Sequence, residues 1–288
     1  MAALASVTGV PEAAEPPPPP PRAGRPRVWR GIVLVLAAAY FLVPLVTSFW
    51  FTVYNDMTGF SLSTYTDLLV AEGFGRSLGL SLGLAAATIV LVLALTLPAM
   101  LAVRLSAPRL RPVMEVVCTL PLVVPPITFV TGIGKSLQVG GEVLAPTPFW
   151  ATLIAIQDPA FPIVLVLAYV MLALPFVYRS LDAGLATMDV RTLVEAARNL
   201  GASWPQVIFR VVVPNLRSAL ASASFLTLAL VLGEFTVARL LGYQPFSVWI
   251  VTISGSQAQL SVAASVLSLL LTWLLLLVVS TASGRKRS

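Results

Sequence analysis

The stretch DVRTLVEAARNLGASWPQVIFRVVVP, residues 189–214, is the longest polar passage between two strongly apolar segments of this 288-residue chain. Its apolar residues recur at three- and four-residue spacing, which predicts one buried face of a helix. That face comprises Val190, Leu193, Val194, Ala197 and Leu200. The opposite, polar face comprises Arg191, Glu195, Arg198 and Asn199. The pattern therefore predicts an amphipathic helix with charge on its outer side.

Turn-forming residues divide the same stretch into two short helices. Asp189 is placed to cap the first helix, and Gly201 stands where a helix would end in a left-handed residue. Ser203 is placed to cap a second helix with Pro205 in its first turn, where a missing N–H costs little. Pro214 ends the passage and starts the next apolar run. We call residues 189–214 the elbow and predict that it lies against a membrane face.

The composition of the whole chain is that of a polytopic membrane protein. Hydrophobic residues make up 58% and charged residues only 10%, and the mean hydropathy is +0.92, whereas a soluble domain carries roughly 25% charged residues. The net charge of +6 does not indicate nucleic acid, because the arginines are spread over several short loops. With no His and one Cys, the chain excludes a disulfide framework, a His-based metal site and a Cys–His catalytic pair.

Six apolar segments are long enough to cross a bilayer, which takes about 20 residues. We predict spans at about residues 29–53, 77–103, 112–132, 161–181, 216–241 and 260–281. The third span contains Pro121, Pro125 and Pro126 and is therefore predicted to be broken or kinked. In a transporter such irregular backbone often faces the pathway, although a kink that serves packing explains the prolines equally well.

Glu234 is the only acidic residue well inside a predicted span. An ionisable group at that depth is costly, so it is a hypothesis of function by default. The alternative is that Glu234 lies near the outer end of the fifth span and pairs with Arg239 or with a partner subunit.

Lys and Arg are divided unequally between the two predicted sides of the membrane. Fifteen lie on one side, namely Arg22, Arg25, Arg27, Arg30, Arg104, Arg109, Arg111, Arg179, Arg191, Arg198, Arg210, Arg217, Arg285, Lys286 and Arg287. Only Arg76, Lys135 and Arg239 lie on the other side. The bias places both termini and the elbow in the cytoplasm, in agreement with an even number of spans. Residues 1–28, which are rich in proline, are expected to form a disordered cytoplasmic tail, residues 29–284 the membrane domain, and residues 285–288 a basic cytoplasmic tail.

The spacing within the elbow resembles the EAA loop of permease subunits of binding-protein-dependent ABC importers. Glu195-Ala196-Ala197 is followed by three residues, Gly201, nine residues and then Val211-x-Val213-Pro214. Val211 and Val213 replace the Ile and Leu of the family pattern, while the other motif residues match in register. The resemblance covers roughly residues 60–280. It implies an all-α polytopic protein of the bacterial cell membrane, with the type I ABC importer permease fold, six transmembrane helices and a cytoplasmic coupling helix.

The resemblance also implies roles for the elbow residues. Glu195 would pair with a basic residue of an ATPase, and Ala196 and Ala197 would allow close helix approach. Gly201 would make the turn, and Val213-Pro214 would fix the start of the fifth span. Because the chain has no P-loop, ATP and Mg²⁺ would be bound by the partner ATPase, and this chain would bind no cofactor. The implied partners are an ATPase dimer, a second permease subunit or a second copy of this chain, an extracytoplasmic substrate-binding protein and the lipid bilayer.

Two short segments resemble the spermidine/putrescine permease class, Gly233-Glu234-Phe235-Thr236 and the proline-rich segment 121–126. They imply a polyamine cargo, with Glu234, Pro125 and Pro126 beside the pathway. Permeases for ferric iron, phosphonate, sulfate or sugar remain alternatives. A secondary transporter would carry inverted repeats and several intramembrane ionisable residues, neither of which is evident. A membrane scaffold would not need the spacing of the elbow, and an integral membrane enzyme would need a catalytic constellation that the sequence lacks.

Overall fold

The computed structural model describes residues 28–55 and 59–284, with the side chains of residues 29, 31–54 and 59–278. The predicted tails 1–28 and 285–288 therefore lie outside the described residues, apart from Val28. The chain divides into two units, Met1–Leu45 and Val46–Ser288. The described part of the first unit is helix, and the second unit holds every other element described below.

Helices make up almost all of the described chain. They are α1 (Val28–Val53), α2 (Ser63–Val70), α3 (Phe74–Ser106), α4 (Arg111–Thr119), α5 (Pro126–Leu144), α6 (Phe149–Ala155), α7 (Ile163–Ala186), α8 (Val190–Asn199), α9 (Trp204–Gln206), α10 (Val213–Asn215), α11 (Arg217–Gly233), α12 (Thr236–Leu240), α13 (Phe246–Ile253) and α14 (Ala258–Gly284). Two 3₁₀ turns, Pro108–Leu110 and Leu120–Leu122, flank α4, and a π-helical turn, Val207–Val212, precedes α10. Strands β1 (Tyr54–Asn55) and β2 (Gly59–Phe60) form a short antiparallel pair, a small addition to the predicted all-α architecture.

The described helices provide up to six membrane spans, in line with the six predicted. Four single helices are long and apolar enough, namely Gly31–Val53, Phe74–Ser106, Ile163–Ala186 and Ala258–Val278. The other two spans are bent pairs of helices. Pro108–Leu122 meets Pro126–Leu144 at 98°, and Trp204–Asn215 meets Arg217–Gly233 at 81°.

The break predicted in the third span is confirmed. Pro125 precedes α5 in an extended conformation, and Pro126 occupies the first turn of that helix. A proline has no N–H to donate and disfavours helical backbone in the residue before it, so α4 does not continue into α5. The two helices consequently meet at the 98° bend.

The predicted end of the third span at Gly132 is wrong, because α5 continues to Leu144. The polar residues that follow Gly132 bond to one another along the helix. Lys135 Nζ donates to Gln138 Oε1 at 3.1 Å, and Gln138 Nε2 donates to Glu142 Oε1 at 3.3 Å. Such pairs at three- and four-residue spacing support a helix while keeping its polar groups satisfied.

The predicted extent of the fifth span is also wrong. Helix α11 ends at Gly233, Glu234 is extended, and the short helix α12 follows. Residues 242–258, which fall between the fifth and sixth predicted spans, contain α13, an eight-residue apolar helix after Pro245. It was missed because it is too short to cross a bilayer and lies between turn-forming residues.

The core of the second unit is built from α3, α7 and α11. Fully buried side chains from these helices include Leu84, Val92, Leu165, Tyr169, Val177, Leu181 and Ala223. Helices α3 and α7 run parallel, since Gly83 in the third turn of α3 faces Phe161, two residues before α7, and Arg104 contacts Asp182 near their last turns. The elbow therefore lies at the end of the core where α3 ends.

A second cluster packs at the opposite end of the core. It joins α2, α13 and α14 to the start of α3 through Leu68, Phe74, Phe246, Trp249, Ile250, Ala263 and Ala264. The rings of Phe246 and Trp249 stack at 5.7 Å, and Phe74 meets both edge-on. Helix α3 separates the cluster from the elbow, and its 33 residues correspond to a length of roughly 50 Å.

Candidate functional site

Asp189 begins the elbow as the predicted N-cap. Its carboxylate accepts hydrogen bonds from the backbone N–H of Thr192 at 3.2 Å and from Thr192 Oγ1 at 2.7 Å. These two bonds hold the pKa of Asp189 below its usual value, and the bond from the Thr192 side chain has the larger effect. The cap satisfies a donor that the first turn of α8 would otherwise leave free, so the start of the elbow is fixed by its own sequence.

Gly201 ends α8 with φ +84°, which confirms the predicted left-handed turn. The turn is closed by two hydrogen bonds from backbone N–H groups, Gly201 to the carbonyl of Arg198 at 2.9 Å and Ala202 to the carbonyl of Ala197 at 3.1 Å. The guanidinium of Arg198 adds a third bond, to the carbonyl of Ala202 at 2.8 Å. Gln206 then accepts from the N–H of Ser203 at 2.8 Å, which starts the second helix at the predicted place.

Four buried valines attach the elbow to the core: Val190, Val194, Val207 and Val212. The first two are among the five residues of the predicted helix face, and their burial is confirmed. Leu193 and Ala197 are half-buried, but the prediction for Leu200 is wrong, because its side chain is 90% exposed. The chain leaves the helix at Leu200, the C-cap residue before the left-handed glycine, so the helical period no longer sets the direction of its side chain.

Leu200 is one of three large apolar residues that the elbow exposes and that the sequence analysis did not identify as exposed. Trp204 is 50% exposed and Phe209 is 71% exposed on the same elbow. The guanidinium of Arg198 lies over the ring of Trp204, 5.5 Å from its centroid. The available signal was the presence of large apolar residues within the most polar stretch of the chain. We call Leu200, Trp204 and Phe209 the elbow surface.

The predicted motif residues belong to the same elbow. Glu195 is exposed and accepts from Arg191 Nε at 2.8 Å, a pair that raises the pKa of Arg191. Ala196 is exposed and Ala197 packs against the core. Val213 is half-buried, and Pro214 is exposed in the first turn of α10, just before the 81° bend into α11.

Glu234 stands at the break between α11 and α12 and is half-buried. Its two carboxylate oxygens accept from the backbone N–H groups of Val237 at 2.7 Å and Ala238 at 3.2 Å. Its carbonyl accepts from Ser247 Oγ at 2.6 Å. The side chain therefore caps α12, and no ion pair joins it to Arg239 within the described residues. Two lone-pair sites of the carboxylate remain for another donor or cation.

A cavity of about 850 Å³ lies at the end of the core opposite the elbow. Its lining includes Thr64, Asp67, Glu72, Trp249, Gln257 and Gln259. Both carboxylates are exposed and, among the described residues, neither has an ion-pair partner. Trp249 Nε1 donates to the carbonyl of Glu72 at 3.1 Å, which fixes one wall. The sequence analysis did not assign either acid to a site.

Comparisons with known proteins agree with the architecture. Residues 109–285 match the family model described as "Binding-protein-dependent transport system inner membrane component". The spermidine/putrescine transport system permease protein PotB of Haemophilus influenzae is 39% identical over 80 residues, which span 28% of this chain and 28% of that protein. A solved bacterial ABC transporter involved in the import of the acidic polysaccharide alginate has a chain that aligns with a TM-score of 0.60 and 15% identity, covering 91% of this chain and 100% of its own. At that identity the structural likeness concerns the fold, which is that of a type I importer permease.

Proposed function

Because this chain belongs to the family of binding-protein-dependent transport system inner membrane components, we propose that it is the permease subunit of an ATP-driven uptake system. It forms the translocation pathway with a second permease subunit or a second copy of itself. It receives cargo from an extracytoplasmic binding protein and catalyses no reaction. ATP and Mg²⁺ are bound by a separate ATPase dimer on the cytoplasmic side, where the excess of Lys and Arg places the elbow.

The elbow surface is the observation that carries this proposal. Leu200, Trp204 and Phe209 are each exposed within residues 200–209, on a segment that buried valines hold against the core. Large apolar side chains exposed amid charged residues are typical of a protein contact, with the apolar groups at its centre and charge at its rim. We propose that this surface enters a cleft of the ATPase.

The motif residues lie on the same elbow and have properties that suit docking. Glu195 already holds Arg191 and has further acceptor capacity for a basic residue of the ATPase. Ala196 presents only a methyl group at the surface, so a partner helix can approach closely. Gly201 sets the direction of the second helix, and Val213 and Pro214 lead into the bend before α11. An elbow anchored in this way moves as a body when the ATPase closes.

We propose a polyamine as the cargo. The 80-residue match to a spermidine/putrescine permease supports this assignment. The cavity at the far end of the core adds a physical argument, because the carboxylates of Asp67 and Glu72, which have no ion-pair partners among the described residues, attract a cation. Glu234, with lone pairs left beyond its cap, and the break at Pro125 and Pro126 then border the pathway deeper in the membrane.

Replacing part of the elbow surface tests the proposal. The chain is purified with a tag from its native membrane, and the P-loop ATPase retained with it is quantified. We expect Leu200→Ser and Phe209→Ser each to lower retention more than tenfold, because burying such a side chain contributes about 1.5–3 kcal/mol. The matched control is Leu69→Ser, since Leu69 is also exposed but lies on α2 at the other end of the core. Retention that persists in both elbow variants would contradict the docking site.

A further inference from the structure

One carboxylate, that of Asp182, joins three segments near the elbow. Arg104 Nη2 donates to Asp182 Oδ1 at 2.6 Å and to the carbonyl of the same residue at 3.1 Å. Arg111 Nη2 donates to Asp182 Oδ2 at 3.0 Å and approaches Oδ1 at 3.4 Å. We call Arg104, Arg111 and Asp182 the clamp.

The clamp is partly shielded from solvent on its inner side. The side chains of Arg104 and Asp182 are 20% and 25% exposed, and that of Arg111 is 54% exposed. A half-buried carboxylate that accepts from two guanidinium groups is more strongly held than an exposed pair, because charge-assisted bonds strengthen as water is excluded. The clamp therefore fixes the distance between its segments better than a surface ion pair would.

The positions of the three residues decide what the clamp holds together. Arg104 lies in the last turn of α3, and Arg111 is the first residue of α4. Asp182 lies four residues before the end of α7, and the elbow follows after two residues more. The clamp thus ties the helix that leads into the elbow to the first half of the broken third span.

Close packing holds the other end of the elbow at the same place. A Cβ added to Gly184 would collide with Ala219 Cβ on α11 and would fall 3.1 Å from Leu216 Cδ2. Both ends of the elbow are therefore fixed next to the clamp, the first through α7 and the second through α11. A movement of the elbow as a body has to carry Asp182 with it.

A short helix, α4, connects the clamp to the break in the third span. Helix α4 contains nine residues and is roughly 13 Å long. It leads from Arg111 to the turn Leu120–Leu122 and on to Pro125 and Pro126. We propose that Asp182, held by Arg104 and Arg111, is the positioning residue that passes elbow movement to the broken third span and so to the pathway. This inference rests on the proposed function, because it states which part of the permease moves when the docked elbow moves.

The experiment measures ATP hydrolysis and substrate uptake together in proteoliposomes that contain the complete transporter and its binding protein. Asp182→Asn keeps the shape of the side chain and removes its charge. Arg111→Gln removes the more exposed partner, and Asp182→Glu restores the charge. The matched control is Arg109→Gln, because Arg109 lies in the same connection and, among the described residues, makes no ion pair.

We expect Asp182→Asn and Arg111→Gln to assemble and hydrolyse ATP while uptake per ATP falls about tenfold, the scale of one lost charge-assisted hydrogen bond. Asp182→Glu should recover most of the loss, and Arg109→Gln should match the wild type. Equal falls in hydrolysis and uptake, or no fall, would overturn the inference. If Asp182→Asn fails to assemble, the Arg111→Gln variant decides.

A distance measurement separates this inference from the proposed function. Spin labels at Val113→Cys and Thr187→Cys, with Cys118→Ser, report whether α4, the first half of the broken third span, moves together with α7, the helix that leads into the elbow. The label distance should stay constant between nucleotide states when Asp182 is present and should change between them in the Asp182→Asn variant. A constant distance in both proteins would refute the clamp. Absence of ATP-driven uptake in the wild type would instead refute the proposed function, while the labels would still report on the clamp.

Discussion

Gly201 offers the most direct test of the elbow, because its substitution changes backbone energy and almost nothing else. The residue has φ +84°, and no atom lies within 4 Å of the place where a Cβ would stand. A series of Gly201→Asn, Gly201→Ala and Gly201→Val therefore meets no steric obstacle from neighbouring residues. It samples side chains that tolerate the left-handed region to different degrees, with Asn best and the β-branched Val worst.

The expected magnitude follows from that conformation. A residue with a Cβ costs roughly 1–2 kcal/mol in the left-handed helical region. One or two kcal/mol changes the ratio of ordered to unwound elbow by a factor of about 5–30. If the ATPase binds only the ordered elbow, the apparent affinity falls by up to the same factor once the unwound form dominates. Asn should lose least, Ala an intermediate amount and Val most.

The assay titrates purified ATPase onto each variant in nanodiscs and measures the dissociation constant, followed by ATP-driven uptake. The matched control is Gly242→Ala, because Gly242 has φ +83° and open space around it but lies between α12 and α13. That variant should carry the same backbone penalty and leave ATPase binding unchanged. Equal affinities across the Gly201 series would refute the reasoning, as would an equal loss in Gly242→Ala.

Three further outcomes are expected. Glu195→Lys should abolish uptake while membrane insertion persists, because it reverses the charge offered to the ATPase; normal uptake at normal expression would remove the residue from the docking surface. Cysteines at Ser63 and Thr147 should react with an impermeant thiol reagent in whole cells and one at Ser203 should not, since the Lys and Arg bias predicts that the elbow lies inside. Labelling at Ser203 would reverse the orientation. Glu234→Gln should lower polyamine uptake, because it removes the charge and one of the two side-chain oxygens that accept from backbone N–H groups. Unchanged uptake would show that neither is needed.

Features that depend on neighbours in the chain were predictable from the sequence. The cap at Asp189 and the left-handed Gly201 rest on residues within one or two turns of each other, and both are confirmed. The break at Pro125 and Pro126 follows from the chemistry of proline itself and is also confirmed. The candidate spans, of which the described helices provide up to six, followed from hydropathy alone, because in a bilayer the length of an apolar segment is the main constraint.

Features that depend on tertiary structure were missed or misjudged. Leu200 is exposed because the chain turns away from the core at this residue, and the helical period of α8 does not predict where that turn occurs. The end of α11 at Gly233 depends on a cap that Glu234 provides to the next helix. The sequence analysis placed this acid well inside a continuous span, whereas it marks the break between two helices. Asp182 carried a usable signal, as an acidic residue directly after the fourth predicted span, but its two arginines come from segments 78 and 71 residues away.

The π-helical turn at Val207–Val212 gives the elbow a sensitivity to chain length. A π turn holds one residue more than an α turn, and such turns are usually read as single-residue insertions into a helix. Each residue of an α-helix advances the side chains by about 100° around the axis. Deleting one residue here would leave charge and hydropathy almost untouched, yet it would rotate Pro214 and everything before the bend relative to Phe209. The number of residues in this turn thus sets the rotation about the helix axis between Phe209, which faces outward, and Pro214, which leads to the bend. An alanine scan keeps that number constant and would never reveal it.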